Sequence, residues 1–312
     1  MILYLTHNDQ PSGVYWSQVT DTVEHLTAMG GGEVRLVALV SARDFFRSRR
    51  RLRSHSPRAW VLPMVPTMKR WRKNAALVAW VCRLLRPEGI IARGPFATWM
   101  ALHMRDRGLV RKVCFDGGGA YAAEWEEYRI VDDDALIAQV RQVEREAVLD
   151  SDFRLGVSHA LVRHWHERYG YAGEAHVVVP CTLGRAHIKE TGPPTARQDA
   201  LGFGQEDIVL VYSGSSAGWQ SFALLEAFLE QMMREKAQVK ALFLCRPDPQ
   251  VDALVARSSG RVLRTWVPAA DVSDILAGCD HGILLREDSL TNRVASPTKF
   301  AEYLRAGLPV IV

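Results

Sequence analysis

The 312-residue sequence has few cysteines and no long apolar run. Its five cysteines are widely separated, so none forms the Cys-x-x-Cys pair of metal sites and dithiol redox centres. The longest nearly unbroken apolar run, residues 75–85, is shorter than the ~20 residues that span a bilayer. The N-terminus lacks the basic region of a signal peptide. We therefore expect a cytoplasmic protein with reduced, buried thiols.

Other absences exclude further classes of protein. No Gly-x-Gly-x-x-Gly follows the first apolar run, which argues against a nicotinamide dehydrogenase. A composition of 48% hydrophobic and 24% charged residues excludes a collagen, a coiled-coil rod and a largely disordered chain. We predict no bound metal and no tightly bound cofactor.

Short runs of strand-forming residues recur along the chain, each followed by a helical pattern. Several are continuously apolar, as parallel strands covered on both faces are. This alternation predicts a doubly wound α/β architecture. The predicted strands are Ile2–Thr6, Val34–Val40, Gly89–Arg93, Lys112–Asp116, Phe153–Val157, His176–Pro180, Ile208–Ser213, Lys240–Cys245, Val262–Val267, His281–Leu285 and Leu308–Val312.

One segment, Glu190–Arg197, is the best candidate for a linker. Its Gly-Pro-Pro can continue neither a helix nor a strand. We therefore predict two Rossmann-like domains, residues 1–187 and 198–312. Ligands of such sheets bind at the carboxyl ends of the strands, so a cleft between the two domains is the expected site.

The segment 286–312 contains the most informative motif. Ser296 followed by Pro297 is typical of a helix start, with Ser296 as the N-cap. The free amides of that helix, with Thr298 and Lys299 nearby, favour an anionic group such as phosphate. Glu302 lies one turn later and can accept hydrogen bonds from ribose hydroxyls. The alternative is a capped surface helix with a solvated glutamate.

Three further loops follow predicted strands. The Gly-rich loop 212–221 allows close backbone approach to a ligand at Gly214, although a plain tight turn is the alternative. The loop after the first strand contains His7 and Gly13. A third loop places Asp116 beside three glycines, with Glu124 shortly after it, where turn formation or capping is the alternative.

Positive charge is concentrated in residues 43–73, which contain eleven arginines and lysines and one acidic residue. Aromatic residues interleave with the basic ones, a pattern that suits an anionic membrane surface. A solvated, partly disordered loop is the alternative, and nucleic acid is disfavoured because the second half of the chain is slightly acidic. The patch that we select is Arg49, Arg50, Arg51, Arg70, Trp71 and Arg72.

The segment Ser-Pro-Thr-Lys-Phe-Ala-Glu-Tyr-Leu-Arg-Ala-Gly-Leu-Pro-Val-Ile resembles the nucleotide-sugar-binding signature of GT-B glycosyltransferases of the group-1 type. The resemblance implies that Glu302 holds the donor ribose. It also implies that Ser296, Pro297 and Thr298 present backbone amides to the donor phosphates. Weaker similarity covers most of the chain and implies the GT-B fold, two Rossmann-like domains facing a cleft.

The resemblance also assigns the other loops. The Gly-rich loop would face the donor diphosphate, but the family's Arg and Lys are replaced by Ser215 and Gln220. We expect Arg286 and Lys299 to supply the missing charge. The remaining assignments concern the acceptor side: Asp116 and Glu124 bind the acceptor or act as base, and His7 and Gly13 lie in the loop over the cleft.

Two departures from the family pattern stand out. Many members carry a glutamate eight residues before the one corresponding to Glu302, and that position here is Val294. The family fold also continues past the last predicted strand, so the resemblance implies that the C-terminal domain lacks its last elements. The pattern of the two glutamates is associated with retention of anomeric configuration.

The sequence thus predicts a glycosyltransferase that moves a sugar from a nucleotide-diphosphate sugar to a lipid-linked saccharide or surface polysaccharide. Its basic patch would dock at the inner face of the cell membrane. Two alternatives remain open: a nucleotide-sugar epimerase on the same fold, and a non-catalytic nucleotide-sugar-binding subunit.

Overall fold

A computed structural model of the chain describes residues 1–11, 13–185, 202–216 and 218–312. These residues divide into two compact units. The first comprises Met1–Pro180 with Arg293–Ser296, and the second Cys181–Asn292 with Pro297–Val312. The predicted linker Glu190–Arg197 lies outside the described residues, so the domain limits 1–187 and 198–312 stay predictions.

The first unit is built on a seven-stranded parallel sheet with helices between its strands. Its strands are β1 Ile2–His7, β2 Val34–Val40, β3 Trp60–Pro63, β4 Gly89–Arg93, β5 Lys112–Gly117, β6 Phe153–Gly156 and β7 His176–Val178. Its helices are α1 Asp21–Ala28, α2 Phe45–His55, α3 Ala75–Leu85, α4 Gly94–Asp106, α5 Tyr121–Tyr128, α6 Asp134–Asp150 and α7 His159–Tyr169. The sheet order is β3-β2-β1-β4-β5-β6-β7.

The second sheet has five parallel strands. They are β8 Ile208–Ser213, β9 Val239–Leu244, β10 Val262–Thr265, β11 His281–Ile283 and β12 Val310–Ile311, in the order β10-β9-β8-β11-β12. The remaining helices are α8 Phe222–Glu235, α9 Pro249–Arg257, α10 Ala269–Leu276, α11 Leu290–Val294 and α12 Thr298–Arg305. All strands run parallel, and the order in which the chain adds strands to a sheet reverses once in each. The reversal lies between β1 and β4 in the first sheet and between β8 and β11 in the second.

Local chemistry explains where several helices begin. The Asp133 carboxylate accepts a hydrogen bond from the Leu136 amide and caps α6. The Ser158 hydroxyl caps α7 in the same way, through the Leu161 amide. Such side chains satisfy amides that have no partner inside the helix.

Apolar side chains pack on both faces of each sheet. In the first unit, one cluster lies between the sheet and α3, α4 and α6, and a second lies beside α1 and α2. In the second unit, one cluster includes α8 and α9, and the other includes α10 and α12. The predicted doubly wound α/β architecture is therefore confirmed. Double coverage explains the continuous apolar runs of strands such as β8.

Helix α12 is attached to the second sheet through Tyr303, whose side chain is fully buried. The Tyr303 hydroxyl accepts a hydrogen bond from the Ser213 amide at 2.9 Å and lies 3.3 Å from the carbonyl oxygens of Val211 and Ile283. Its ring covers Gly282, where a β-carbon would lie 2.4 Å from a ring carbon. A glycine on β11 is thus needed for this helix to approach the sheet.

The basic segment 43–73 forms regular secondary structure, so the alternative of a partly disordered loop is wrong. It forms α2 and β3, and a 3-10 turn at Met68–Asn74 follows. Strand β3 is absent from the predicted set because its four residues stand among basic and proline-rich sequence. Trp71 is 1% exposed and packs in the core against Phe96 and Trp99, so its place in a membrane-facing patch was wrong.

Candidate functional site

Both sheets have a switch point where the strand order reverses, which is where ligands of such folds bind. In the second sheet it lies at the carboxyl ends of β8 and β11. The loop from Gly214 follows β8, Arg286 comes shortly after β11, and the first turn of α12 contributes Lys299. Three segments that are distant in sequence thus bring their side chains to one place.

Lys299 is a buried lysine whose side chain is held by neighbouring polar and aromatic groups. Its Nζ donates to Gln220 Oε1 at 2.8 Å and lies 3.9 Å from the centre of the Tyr212 ring. Burial lowers the pKa of Lys299 to about 7, and the Arg286 charge adds to this while the Glu302 charge opposes it. Near neutral pH the Lys299 side chain therefore exchanges between its neutral amine and its cationic ammonium form.

Gln220 Oε1 is the point on which the donors of this site converge. Besides Lys299, the Arg286 guanidinium donates to it at 3.3 Å, and the Tyr212 hydroxyl oxygen lies 3.2 Å away. Arg286 and Lys299 are thus brought together, as expected from the sequence. Two cations around one oxygen form an arrangement suited to an anionic oxygen, such as one of a diphosphate.

Gly214 has a backbone conformation and a setting that require glycine. Its φ is +143°, and a β-carbon there would lie 3.0 Å from Lys299 Nζ. Within the described residues, the group nearest to this position is the Lys299 ammonium, and the close approach of a ligand to Gly214 stays a prediction. Ser215 contributes its backbone, because its carbonyl accepts a hydrogen bond from the Tyr212 hydroxyl at 2.8 Å.

The first turn of α12 differs in one detail from the sequence expectation. The helix begins at Thr298 with Pro297 at the N-cap position, and the Pro297 side chain makes no capping hydrogen bond. The assignment of Ser296 as the N-cap was therefore wrong by one position, because the chain at Pro297 is still extended (ψ 123°). Glu302, one turn along, accepts a hydrogen bond from the Ser213 hydroxyl at 3.4 Å.

In the first sheet, the switch point lies between β1 and β4 and contains a buried charge pair. Arg93 ends β4 and is paired in the strand register with Asp116 on β5. The Arg93 guanidinium donates to Asp116 Oδ2 at 3.1 Å, and the hydroxyl of Tyr4 donates to the same oxygen. Asp116 is therefore at a strand end, as expected, and its Oδ2 is held by two donors.

Asp9 lies close to this charge pair and was absent from the sequence-based candidates. Its Oδ2 is buried and has no hydrogen-bond partner among the residues that the structure describes. Burial raises the pKa of Asp9 to about 6, with Asp116 acting in the same direction and Arg93 opposing it. A carboxyl group with this pKa can hold or release a proton near neutral pH.

Glu124 lies in the first turn of α5. Burial raises the pKa of the Glu124 carboxyl above its usual value. Glu144 on α6 is fully buried and accepts hydrogen bonds from the amides of Tyr121 and Ala122 at 3.0 and 2.8 Å. Glu144 thus fixes the start of α5, and the position of Glu124 depends on it.

His7 ends β1 and is buried with a neutral ring. Burial lowers its pKa to about 4, and its Nε2 lies 3.3 Å from the Asn74 amide nitrogen. Both residues line a cavity of about 330 Å³ bordered by Met64, Met68 and Trp71. Gly13 lies apart from these contacts, since no atom of the described chain falls within 4 Å of its β-carbon position.

The arginines of the basic patch lie on two elements. Arg50 and Arg51 are exposed on α2, and Arg49 is half-buried with its guanidinium 5.9 Å from the Phe45 ring. Beside them Phe46 is 81% exposed, an unusual position for a large apolar side chain.

The other two arginines, Arg70 and Arg72, are exposed in the 3-10 turn. The Arg72 guanidinium lies 4.6 Å from the Trp71 ring and donates to Gln139 Oε1 at 2.8 Å. Of the patch, five arginines thus remain at the surface or partly exposed.

The described part of the chain contains neither a cluster of metal-ligating side chains nor a membrane-spanning helix. No group of three or more histidine, cysteine, aspartate or glutamate side chains among them could hold a metal ion. In the same residues, no helix has the length and apolar character to cross a bilayer. The five cysteines form no disulfide with one another.

Two parallel sheets with this strand order, each covered by helices on both faces, are the GT-B fold, and the predicted fold is confirmed. No family model and no curated protein matches the sequence. Among solved structures, sucrose-phosphate synthase from Thermosynechococcus elongatus matches with a TM-score of 0.72 at 13% identity, over 99% of this chain and 80% of that chain.

Two further structures show the range of the likeness. Anabaena HepE, in complex with UDP and glucose, has a TM-score of 0.68 at 14% identity, over 99% of this chain and 79% of that chain. A putative UDP-N-acetylglucosamine 2-epimerase from Listeria monocytogenes has a TM-score of 0.60 at 12% identity, over 100% of this chain and 78% of that chain. At such identities the likeness is one of fold.

Proposed function

We propose that this protein is a glycosyltransferase that uses a nucleotide-diphosphate sugar as donor. The observation that carries the proposal is the convergence of Lys299 and Arg286 at the switch point of the second sheet, beside Glu302. Transfer of a sugar leaves a diphosphate with growing negative charge, and fixed cations at that position lower the barrier.

On the donor side, we assign the roles that the family resemblance implies, and the geometry of the site supports them. Glu302 binds the ribose hydroxyls, and its carboxylate is oriented by the Ser213 hydroxyl. The backbone N–H groups of Thr298 and Lys299 at the start of α12 face the phosphates, and Ser296 and Pro297 precede them in the chain. Arg286 acts as a catalytic residue by stabilising the leaving group. The structurally similar protein HepE is seen in complex with UDP and glucose, which supports this class of donor.

On the acceptor side, we assign the carboxyl ends of β1 and β5. Asp116 and Glu124 bind the acceptor or take up its proton, while His7, the last residue of β1, and Gly13, in the loop that follows, lie over the cleft. Because His7 is neutral at physiological pH, it contributes hydrogen bonds instead of charge. We propose a lipid-linked saccharide or surface polysaccharide as acceptor, and transfer with retention of configuration.

We further propose that α2 docks the protein on an anionic membrane surface at the cytoplasmic face. The exposed Phe46 stands among Arg49, Arg50 and Arg51, which combines an apolar side chain with positive charge. Amphipathic basic helices of this kind bind anionic lipid headgroups. Such docking places the protein where a lipid-linked acceptor is present.

Calorimetric titration with UDP, GDP, TDP, ADP and CMP tests the donor assignment. We expect one nucleoside diphosphate to bind and the Glu302→Ala variant to weaken its binding about 10- to 150-fold, because hydrogen bonds to a charged acceptor are worth about 1.5–3 kcal/mol. Glu206→Ala is the matched control, since Glu206 is exposed and precedes β8. Absence of binding to all five nucleotides contradicts the proposal.

A second candidate is a nucleotide-sugar epimerase, which the likeness to the Listeria protein favours. An epimerase converts the donor without any acceptor. Incubation with the nucleotide sugar alone, followed by NMR of the anomeric proton, therefore separates the two activities. A new sugar signal supports epimerisation. Binding with no conversion in the presence of acceptors supports a non-catalytic nucleotide-sugar-binding subunit.

A further inference from the structure

Gln220 stands where the family signature has a charged residue, and the proposed function gives it no role. We infer that the Gln220 side-chain oxygen occupies the position of a donor diphosphate oxygen, and that the donor binds by displacing this side chain from Lys299 and Arg286. This inference rests on the proposed function of the site. It makes Gln220 a positioning residue that holds the two cations ready for the diphosphate.

The charge of the donors around this oxygen supports the exchange. Two cationic side chains donate to Gln220 Oε1, Lys299 at 2.8 Å and Arg286 at 3.3 Å, while the amide oxygen that they meet is neutral. An anionic oxygen in the same place adds Coulomb attraction to both of these hydrogen bonds. A phosphate oxygen therefore competes well for both cations.

The surroundings also allow Gln220 to leave. It ends the short 3-10 turn Gly218–Gln220, and its side chain is half-buried. The Tyr212 hydroxyl donates its proton to the Ser215 carbonyl at 2.8 Å. Departure of Gln220 thus leaves Tyr212 hydrogen-bonded, while the diphosphate takes over Lys299 and Arg286.

The exchange makes opposite predictions for two substitutions. Gln220→Glu introduces an anion that binds both cations more tightly than the amide does, so it acts as an internal competitor of the diphosphate. Gln220→Ala removes the competitor and leaves the cations in place. Gln238→Glu is the matched control, because Gln238 is exposed and precedes β9. It therefore lies at the amino ends of the strands, about 20 Å along the strand from the carboxyl ends where the site is.

The experiment is calorimetric titration of the full chain and the three variants with inorganic pyrophosphate and with UDP at pH 7. We expect Gln220→Glu to raise the Kd for pyrophosphate about tenfold or more. Binding by Gln220→Ala should be unchanged or tighter, and Gln238→Glu should match the wild type. Thermal unfolding of each variant confirms that it is folded.

Three outcomes overturn the inference. Wild-type affinity in Gln220→Glu means that no exchange occurs, and a tenfold loss in Gln220→Ala means that Gln220 contacts the ligand directly. If Gln220→Glu fails to fold, the Gln220→Ala result alone decides between these readings. Lack of pyrophosphate binding by the wild type also refutes it. If pyrophosphate follows the expected pattern but none of the five nucleotides binds, the inference stands and the proposed function falls.

Discussion

Binding of the donor should weaken as the pH rises through neutrality, because Lys299 is the group whose charge it requires. The pKa of this lysine is lowered from 10.5 to about 7 by burial and by Arg286, against the opposing charge of Glu302. If the protonated form alone binds the diphosphate, about nine tenths of the protein is competent at pH 6 and about one tenth at pH 8. The Kd should therefore rise about tenfold between these values.

The measurement is the Kd of a nucleotide sugar at several pH values from 6 to 8. A nucleotide sugar is the better ligand here because a terminal phosphate group itself titrates near pH 6, whereas a diphosphate diester does not. Lys299→Arg keeps its charge throughout this range, so its Kd should not change with pH. Lys299→Met should bind weakly at every pH.

Two results would refute this reasoning. One is a Kd of the wild type that stays constant from pH 6 to pH 8, which would mean that Lys299 does not titrate there. The other is an equal pH dependence in Lys299→Arg, which would assign the titration to another group. Buried Asp9, in the other unit, is the group to examine in that case, through Asp9→Asn.

Three further predictions concern stability and docking. The pKa of Glu144 is raised from 4.5 to about 7, so between these values the native state retains a proton that the unfolded state loses. The free energy of unfolding should therefore fall by about 3 kcal/mol from pH 4.5 to 7. Denaturant titrations of the Glu144→Gln variant should lack this decrease. Gly282→Ala should lower the free energy of unfolding by about 1–3 kcal/mol, because the new β-carbon meets the Tyr303 ring. Gly204→Ala is the control, since its β-carbon makes only ordinary van der Waals contacts. Equal melting temperatures of the two variants would contradict the packing argument. Arg50→Glu should weaken binding to vesicles with anionic lipid about 30-fold and Arg50→Gln by less, at about 1 kcal/mol per charge; unchanged cosedimentation would remove α2 from the docking surface.

Much of the fold could be predicted from the sequence because parallel strands covered on both faces are continuous apolar runs. The predicted limits of β2, β4 and β8 agree with the structure. Strand β3 escaped prediction because its apolar residues are few and stand within the basic segment. Edge strands of this kind are specified by pairing with a neighbour, here β2, which a local pattern does not reveal.

The candidate sites were less accessible to sequence reasoning. Arg286 and Lys299 could be proposed because Arg286 follows a predicted strand and Lys299 lies at a predicted helix start. The convergence of both on Gln220 depends on side chains from three segments, and no spacing in the sequence encodes it. Asp9 gave no motif at all, since its raised pKa comes from burial beside groups of β4 and β5. Trp71 was misplaced because an aromatic residue among arginines fits both a membrane surface and a core.

The contact between Tyr303 and Gly282 has a consequence for anyone who transplants the donor motif into another protein. The motif as read along the chain begins at Ser296, yet α12 rests on a glycine of β11 that lies outside it. A graft that carries the helix alone would place the Tyr303 ring against a foreign β-carbon and tilt Lys299 and Glu302 away from the sheet. The transferable module is therefore the strand and the helix together.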